Sequence, residues 1–186
     1  CFKKDILNLV YLSKYFGLDE VASFWEGVVK LNNWHQKRIS TLVVDKLFRT
    51  VNNKKIGILG FSFKANTNDT RESPAIKICK DLMNEGAMLS VFDPKVEKDT
   101  ILKTLNKVYK DKDFERKCKV EISIVDAIRN SDAILIITDW DQFIEIDWKE
   151  IFLLVKKPAW IFDTRICLDK NLIREIGFNL WSLGSG

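Results

Sequence analysis

Hydrophobic residues in the first fifty positions recur every three or four residues, the spacing of one face of an α-helix. The clearest of these positions are Ile6, Val10, Val21, Trp25, Val28, Ile39, Val43 and Leu47. Gly17 interrupts the series and is expected to end a first helix, because glycine readily adopts the backbone conformation that closes helices. Asp19 then fits the N-cap of a second, long helix that runs to about Thr50. We therefore predict a helical segment over residues 1–52.

The second helix has more apolar surface than a small neighbouring domain can cover. Phe24, Trp25 and Trp34 all belong to it. Apolar faces of this size are typical of surfaces that pack on another chain or domain. We therefore expect a dimer interface here, within a homodimer or a higher homo-oligomer.

From Lys55 onward the pattern changes to short apolar runs that alternate with amphipathic segments, which is typical of a parallel α/β sheet. We predict strands at 56–60, 88–92, about 119–122, 133–137, 159–162 and 178–181. The intervening helices are expected at 74–84, 98–106, 124–130, 148–156 and 169–175. Residues 53–186 are thus predicted to form a Rossmann-like parallel sheet of about six strands with flanking helices. The uninterrupted apolar run at 133–137 predicts a central strand, and the polar stretch at 107–118 predicts a mobile surface insertion.

Composition narrows the functional classes. The chain has 186 residues, 46% hydrophobic and 30% charged, with a net charge of +4 and no basic stripe. Nucleic acid is therefore not expected as a partner. The four cysteines have no metal-type spacing and there is one histidine, so we expect no metal site and a reduced, cytoplasmic setting. No apolar run approaches the roughly 20 residues that cross a bilayer, so no membrane association is expected.

The long connection after the first predicted strand is the first candidate for ligand binding. Ligands of open α/β sheets bind beyond the carboxyl ends of the strands, and phosphates favour the loop that leads into a helix. Residues 60–74 contain Lys64 and Arg71, and Ser73 and Pro74 suit the start of a helix. The connection is too long for the glycine-rich dinucleotide turn. The two cationic side chains and the helix start in this connection suit the binding of a diphosphate with an attached sugar.

Asp93 follows the second predicted strand, where an acidic residue often binds a ribose hydroxyl. It can equally cap the turn that follows, and we favour this structural interpretation.

Cys1 lies immediately before the first helix, with Lys3 and Lys4 beside it. The positive end of a helix and neighbouring cations favour a thiolate, which is the nucleophilic form of cysteine. Asp5 follows one helical turn later and is expected on the same face. The alternative is an ordinary helix start with surface lysines.

Several motifs together carry a resemblance to a known family. They are Cys1-Phe2-Lys3-Lys4-Asp5, Gly60-Phe61-Ser62-Phe63-Lys64, Asp69-Thr70-Arg71-Glu72-Ser73, Phe92-Asp93-Pro94, Thr138-Asp139-Trp140 and Phe162-Asp163-Thr164-Arg165. In order and spacing the chain resembles the C-terminal part of the UDP-glucose dehydrogenases, within the UDP-glucose/GDP-mannose dehydrogenase family. It departs from that pattern after Arg165 and in the lysine-rich stretch at 107–118.

This resemblance implies NAD-dependent oxidation of UDP-glucose to UDP-glucuronate in two hydride transfers. It implies that Cys1 is the catalytic nucleophile, forming a thiohemiacetal and then a thioester, and that Asp5 assists the hydrolytic water. It also implies substrate binding by Phe63, Lys64 and Arg165. Lys4 and Arg71 would contact the cofactor NAD.

The resemblance further implies that an N-terminal NAD-binding domain belongs to the same enzyme. We therefore expect the chain to be a fragment that binds the UDP-sugar but does not turn it over alone. Two alternatives remain open: a non-catalytic nucleotide-sugar-binding or dimerisation module, and a dehydrogenase for GDP-mannose or UDP-N-acetylmannosamine.

Overall fold

The computed structural model describes residues 2–184, and a six-stranded sheet with every strand parallel forms its centre. The strands are β1 (Lys55–Leu59), β2 (Met88–Phe92), β3 (Cys118–Val120), β4 (Ala133–Ile136), β5 (Trp160–Asp163) and β6 (Asn179–Ser182). Their order across the sheet is β3-β2-β1-β4-β5-β6. All six predicted strands are confirmed within one or two residues, and so is the Rossmann-like fold class.

Nine helices occur within the described residues. They are α1 (Phe2–Tyr15), α2 (Asp19–Lys46), α3 (Pro74–Asn84), α4 (Lys98–Tyr109), α5 (Phe114–Lys117), α6 (Ile124–Ile128), α7 (Asp141–Ile144), α8 (Trp148–Leu154) and α9 (Lys170–Ile176). Within 2–184, none of them is both long and apolar enough for a membrane span.

The sheet separates two apolar cores. One lies under α3, α4 and the last turns of α2, and includes Val43, Leu47 and Leu82. The other lies under α6, α8 and α9, and includes Ile128 and Ile151. Every residue of β4 is buried, because helices cover both faces of a parallel sheet. This confirms the central strand predicted from the apolar run.

The start and end of α2 differ from the prediction. The N-cap is Leu18, which makes no side-chain capping bond, and Asp19 lies in the first turn of the helix. The helix ends at Lys46 rather than near Thr50, because Phe48 and Arg49 both have positive φ angles. A left-handed conformation at these positions cannot continue an α-helix.

The mobile insertion predicted at 107–118 is wrong. Helix α4 continues to Tyr109, and the short helix α5 follows at Phe114–Lys117. Tyr109 and Phe114 are buried, and the amine of Lys117 donates to the Tyr109 hydroxyl at 2.6 Å. Two aromatic anchors therefore fold this polar stretch back onto the core, since burying large rings outweighs the preference of lysines for an open loop.

Candidate functional site

The strand order reverses between β1 and β4, and the connections that leave these strands diverge there. Ligands of open α/β sheets bind in the crevice formed at this point. Gly60 follows β1 with φ +91°, and a Cβ atom on it would lie 2.4 Å from the Cβ of Thr138, which follows β4. Only glycine allows the two connections to approach this closely. We call this region, from residues 60–73 to Thr138 and Arg165, the switch-point crevice.

Arg165 spans the switch-point crevice. It follows β5, and its Nε donates to the carbonyl of Ile137 at 2.7 Å, while its Nη2 donates to the carbonyl of Phe63 at 3.2 Å. Asp139 lies 3.5 Å from Nε. Since a guanidinium has five N–H groups, these two hydrogen bonds fix its position and leave donors for an anion.

Phe63 and Lys64 lie on the other side of the crevice, in the connection after β1. The amide of Phe63 donates to the carbonyl of Asp69 at 2.8 Å, which closes this part of the connection into a turn. Phe63 is half-buried and Lys64 is exposed. Across residues 2–184 the Lys64 amine has no hydrogen-bond or ion-pair partner, so its charge is available to a ligand. The structure therefore brings Phe63 together with Arg165 and places Lys64 next in the chain.

Asp93 is occupied by backbone and indole donors. Its Oδ2 accepts from the amides of Phe61 and Ser62 at 2.7 and 2.9 Å and from the indole of Trp140 at 3.3 Å. Its Oδ1 accepts from the amides of Lys95 and Val96, both at 2.9 Å. The predicted structural role of Asp93 is confirmed, and a carboxylate with five donors has little capacity left for a ribose.

Arg71 is not in the centre of the crevice. Its side chain is 89% exposed and paired with Asp69 at 2.8 Å. Hydrogen bonds from Arg71 lower the pKa of Asp69 to about 2. Among the described residues, Arg71 makes no hydrogen bond or ion pair with Arg165 or Phe63, and its predicted contact with the cofactor stays a prediction.

On helix α1, Lys3 rather than Lys4 reaches the connection after β1. The amine of Lys3 lies 2.8 Å from a carboxylate oxygen of Glu72, while Lys4 and Asp5 are exposed. Sequence reasoning did not find this ion pair, since no local pattern relates position 3 to position 72. It links the helix that follows Cys1 to the connection that carries Phe63 and Lys64.

Cys1 itself lies outside the described residues, so its predicted role stays a prediction. The three described cysteines are poor nucleophiles. Burial raises the pKa of Cys79 well above its ordinary value and that of Cys118 to about 12. Burial and the charge of Asp163 raise the pKa of Cys167 to about 12. Because the thiolate is the reactive form, none of the three competes with Cys1 for that role.

The described residues do not fit a complete dinucleotide site. Residues 60–73 contain one glycine, Gly60, whereas a pyrophosphate-binding turn uses several to let the backbone approach the ligand. The acidic residue after β2, Asp93, is already saturated by protein donors. Residues 2–184 also contain no cluster of three metal-type ligands.

A parallel sheet in this strand order, with cationic groups at the point of reversal, is typical of Rossmann-like domains, which bind nucleotides at this point. The sequence model of the UDP binding domain of the UDP-glucose/GDP-mannose dehydrogenase family matches residues 57–170. The chain belongs to this family.

Curated relatives agree with this assignment, and a solved structure has the same fold. The chain is 46% identical over 185 residues to a UDP-glucose 6-dehydrogenase of Caenorhabditis elegans, and 40% identical over 187 residues to one of Drosophila melanogaster. These matches cover 100% and 99% of this chain, but 38% and 39% of the relatives. A UDP-glucose dehydrogenase structure from Pyrobaculum islandicum superposes with a TM-score of 0.69 at 22% identity, over 96% of this chain and 37% of that one. The chain thus spans well under half the length of these relatives.

Proposed function

We propose that this chain binds the UDP portion of UDP-glucose in the switch-point crevice, as part of an NAD-dependent UDP-glucose 6-dehydrogenase. The observation that carries the proposal is the position of Arg165. Its guanidinium is fixed by two backbone carbonyls at the strand reversal, inside the region matched to the family's UDP binding domain. A fixed guanidinium with spare donors is well suited to a diphosphate.

The neighbouring side chains supply the other interactions of the proposed site. Lys64 adds an unpaired positive charge next to the diphosphate. The ring of Phe63 offers an apolar surface to the base or the sugar. Asp139 lies 3.5 Å from Nε of Arg165 and partly balances its charge. Phe63, Lys64 and Arg165 thus form the proposed substrate-binding set.

Cys1 and Asp5 are the proposed catalytic pair of the whole protein. The Cys1 thiolate would add to the C6 aldehyde and hold it as a thiohemiacetal, and the later thioester would be hydrolysed by water. Asp5 would accept a proton from that water. NAD supplies the oxidising equivalents in this proposal, and Lys4 and Arg71 are its proposed contacts from this chain. The incomplete dinucleotide features described above mean that other parts of the protein have to hold most of the cofactor.

Calorimetric titration of the 186-residue chain with UDP and UDP-glucose tests the substrate site. Both ligands are expected to bind, and Lys64→Ala and Arg165→Ala are each expected to weaken binding by about tenfold or more, since each removes a charged hydrogen-bond donor. Arg174→Ala removes an exposed arginine on α9 and serves as the matched control. Folded wild-type chain that binds neither ligand would overturn the proposed function.

Alkylation of the whole protein tests the role of Cys1. At pH 8, iodoacetamide is expected to modify Cys1 first and to abolish formation of the acid, because the raised pKa values of Cys118 and Cys167 keep those thiols protonated. Peptide mass mapping identifies the modified cysteine, and Cys1→Ser should permit the first oxidation at most. Undiminished acid production after complete modification of Cys1 would contradict the proposal.

The alternative substrates are separated by a panel of UDP-glucose, GDP-mannose and UDP-N-acetylmannosamine with the whole protein. Identity of 40–46% to UDP-glucose 6-dehydrogenases favours the first. If the whole protein binds UDP-glucose but oxidises none of the three, the non-catalytic binding module becomes the correct interpretation.

A further inference from the structure

Side chains from two other connections hold the backbone at Phe61 and Ser62: Asp93 after β2 and Thr138 after β4. The segment lies directly before Phe63 and Lys64, so whatever fixes it also fixes them. We infer that Asp93 and Thr138 are positioning residues for the UDP-sugar site. This inference rests on the proposed function and adds two residues that act through the backbone of the site.

Asp93 fixes the amide side of this segment. One carboxylate oxygen accepts from both Phe61 and Ser62, and the other accepts from the amides of the turn after β2. Asp93 is 8% exposed, and no lysine or arginine pairs with it within the part of the chain that the structure describes. Backbone N–H groups therefore stabilise its charge, and the carboxylate ties the connection after β1 to the end of β2.

Thr138 fixes the carbonyl side. Its Oγ1 donates to the carbonyl of Ser62 at 2.8 Å, across 76 residues of sequence, and both residues are fully buried. The hydroxyl of Ser73 approaches the same carbonyl at 3.5 Å. Because Gly60 leaves no space beside Thr138, this threonine also limits how far the connection can move. Ser62 is thus held through both its amide and its carbonyl.

The carbonyl of Phe63, the next residue, connects this segment to Arg165. Phe63 accepts from Nη2 of Arg165 at 3.2 Å, so the proposed phosphate-binding arginine depends on where the Phe63 carbonyl lies. A shift of Ser62 would move that acceptor and, with it, the guanidinium. The hydrogen bonds of Asp93 and Thr138 therefore act on Arg165 and Lys64 without contacting the ligand themselves.

Thr138→Val tests the inference because valine keeps the shape of threonine but removes the hydroxyl. We expect UDP affinity to fall about tenfold while the far-UV circular dichroism spectrum is unchanged. The buried Ser62 carbonyl loses its short hydrogen bond and keeps only the 3.5 Å contact with Ser73, so the segment relaxes. Thr138→Ser restores a hydroxyl and is expected to recover most of the affinity.

Ser90→Ala is the matched control, since Ser90 is a buried residue of β2 whose hydroxyl donates to Glu121 at 3.0 Å, away from the crevice. It is expected to lower the melting temperature about as much as Thr138→Val, with UDP affinity unchanged. If Thr138→Val and Ser90→Ala lower the melting temperature equally and both bind UDP as tightly as the wild type, then Thr138 contributes only to folding and the inference is overturned.

A double-mutant cycle separates this inference from the proposed function. If Thr138 acts through Arg165, then Thr138→Val costs much less affinity in an Arg165→Ala background than in the wild type. Additive losses would contradict positioning while leaving the UDP site intact. Wild-type chain that binds no UDP would instead remove the proposed function, and the inference with it.

Discussion

The switch-point crevice buries polar groups that are hydrogen-bonded, whereas the pair of helices α1 and α2 exposes apolar side chains. In the crevice, backbone groups from three connections are paired with buried side chains, and Asp93 alone accepts five hydrogen bonds. In the helical pair, α1 buries only Ile6, Val10 and Ser13. The larger side chains there are mostly exposed: Phe2, Tyr11, Tyr15, Phe16, Phe24, Leu31 and Trp34.

This difference shows which parts of the chain bury their apolar side chains. The hydrogen bonds of the crevice join residues within 51–184, and the Lys3–Glu72 ion pair links it to α1. Within residues 2–184, the outer part of the helical pair leaves apolar side chains exposed. Helix α2 belongs to both regions, since Ile39 and Val43 are buried against the sheet while Phe24 is 64% exposed. We propose that the exposed face packs on a second copy of the chain.

The largest effect is expected from an alanine at Gly60. The added Cβ would lie 2.4 Å from Thr138 at a residue whose φ is +91°, so we expect a loss of about 3 to 5 kcal/mol of unfolding free energy. Gly17→Ala is the matched control from the helical pair: its φ is +70°, but nothing lies within 4 Å. It should cost about 1 kcal/mol. Urea unfolding of both variants measures the contrast, and equal losses would show that the crevice is not closely packed.

A smaller effect is expected from truncating leucines along α2. Leu47 follows the last turn and is 2% exposed within the core, while Leu31 in the middle of the helix is 63% exposed. Leu47→Ala should cost about 3 kcal/mol and Leu31→Ala less than about 0.5 kcal/mol. The same denaturation measurement applies at low protein concentration. A large loss at Leu31 would mean that its face is already covered.

The smallest effect on folding, but a clear one on assembly, is expected from Phe24→Glu. A charge in the middle of an apolar interface opposes association, so the variant should be monomeric by light scattering at concentrations where the wild type is a dimer or a larger oligomer. Leu153→Glu, at an 82% exposed position on α8, should leave the assembly unchanged. A monomeric wild type would show that this face instead covers another part of the protein.

Local sequence pattern predicted the sheet well. Runs such as Ala133–Ile136 are apolar on both faces, and only a central parallel strand buries both. Ser73 and Pro74 also begin α3 as predicted, with the Ser73 hydroxyl accepting from the amide of Ala75. In these places the local preference and the tertiary contacts favour the same structure.

The local sequence pattern did not predict the structure where contacts between distant residues determine it. The polar stretch at 107–118 gives no sign that Tyr109 and Phe114 anchor it, because two separated rings do not produce a periodic signal. For the proposed site, the motifs predicted Phe63, Lys64 and Arg165, and their role in binding stays a prediction. The hydrogen bond from Arg165 to Phe63 spans 102 residues. Neither this bond nor the one from Thr138 to Ser62 can be predicted from local sequence, since both depend on the order of the strands.

Main-chain oxygens hold Arg165, so the position of its guanidinium does not depend on the identity of the neighbouring side chains. Its acceptors are the carbonyls of Ile137 and Phe63, which every amino acid possesses. Phe63 is half-buried, so a new side chain there can change the apolar surface offered to the proposed ligand while its carbonyl still accepts from Arg165. In the proposed site, selectivity for the sugar or the base can therefore change while the guanidinium keeps both of its acceptors.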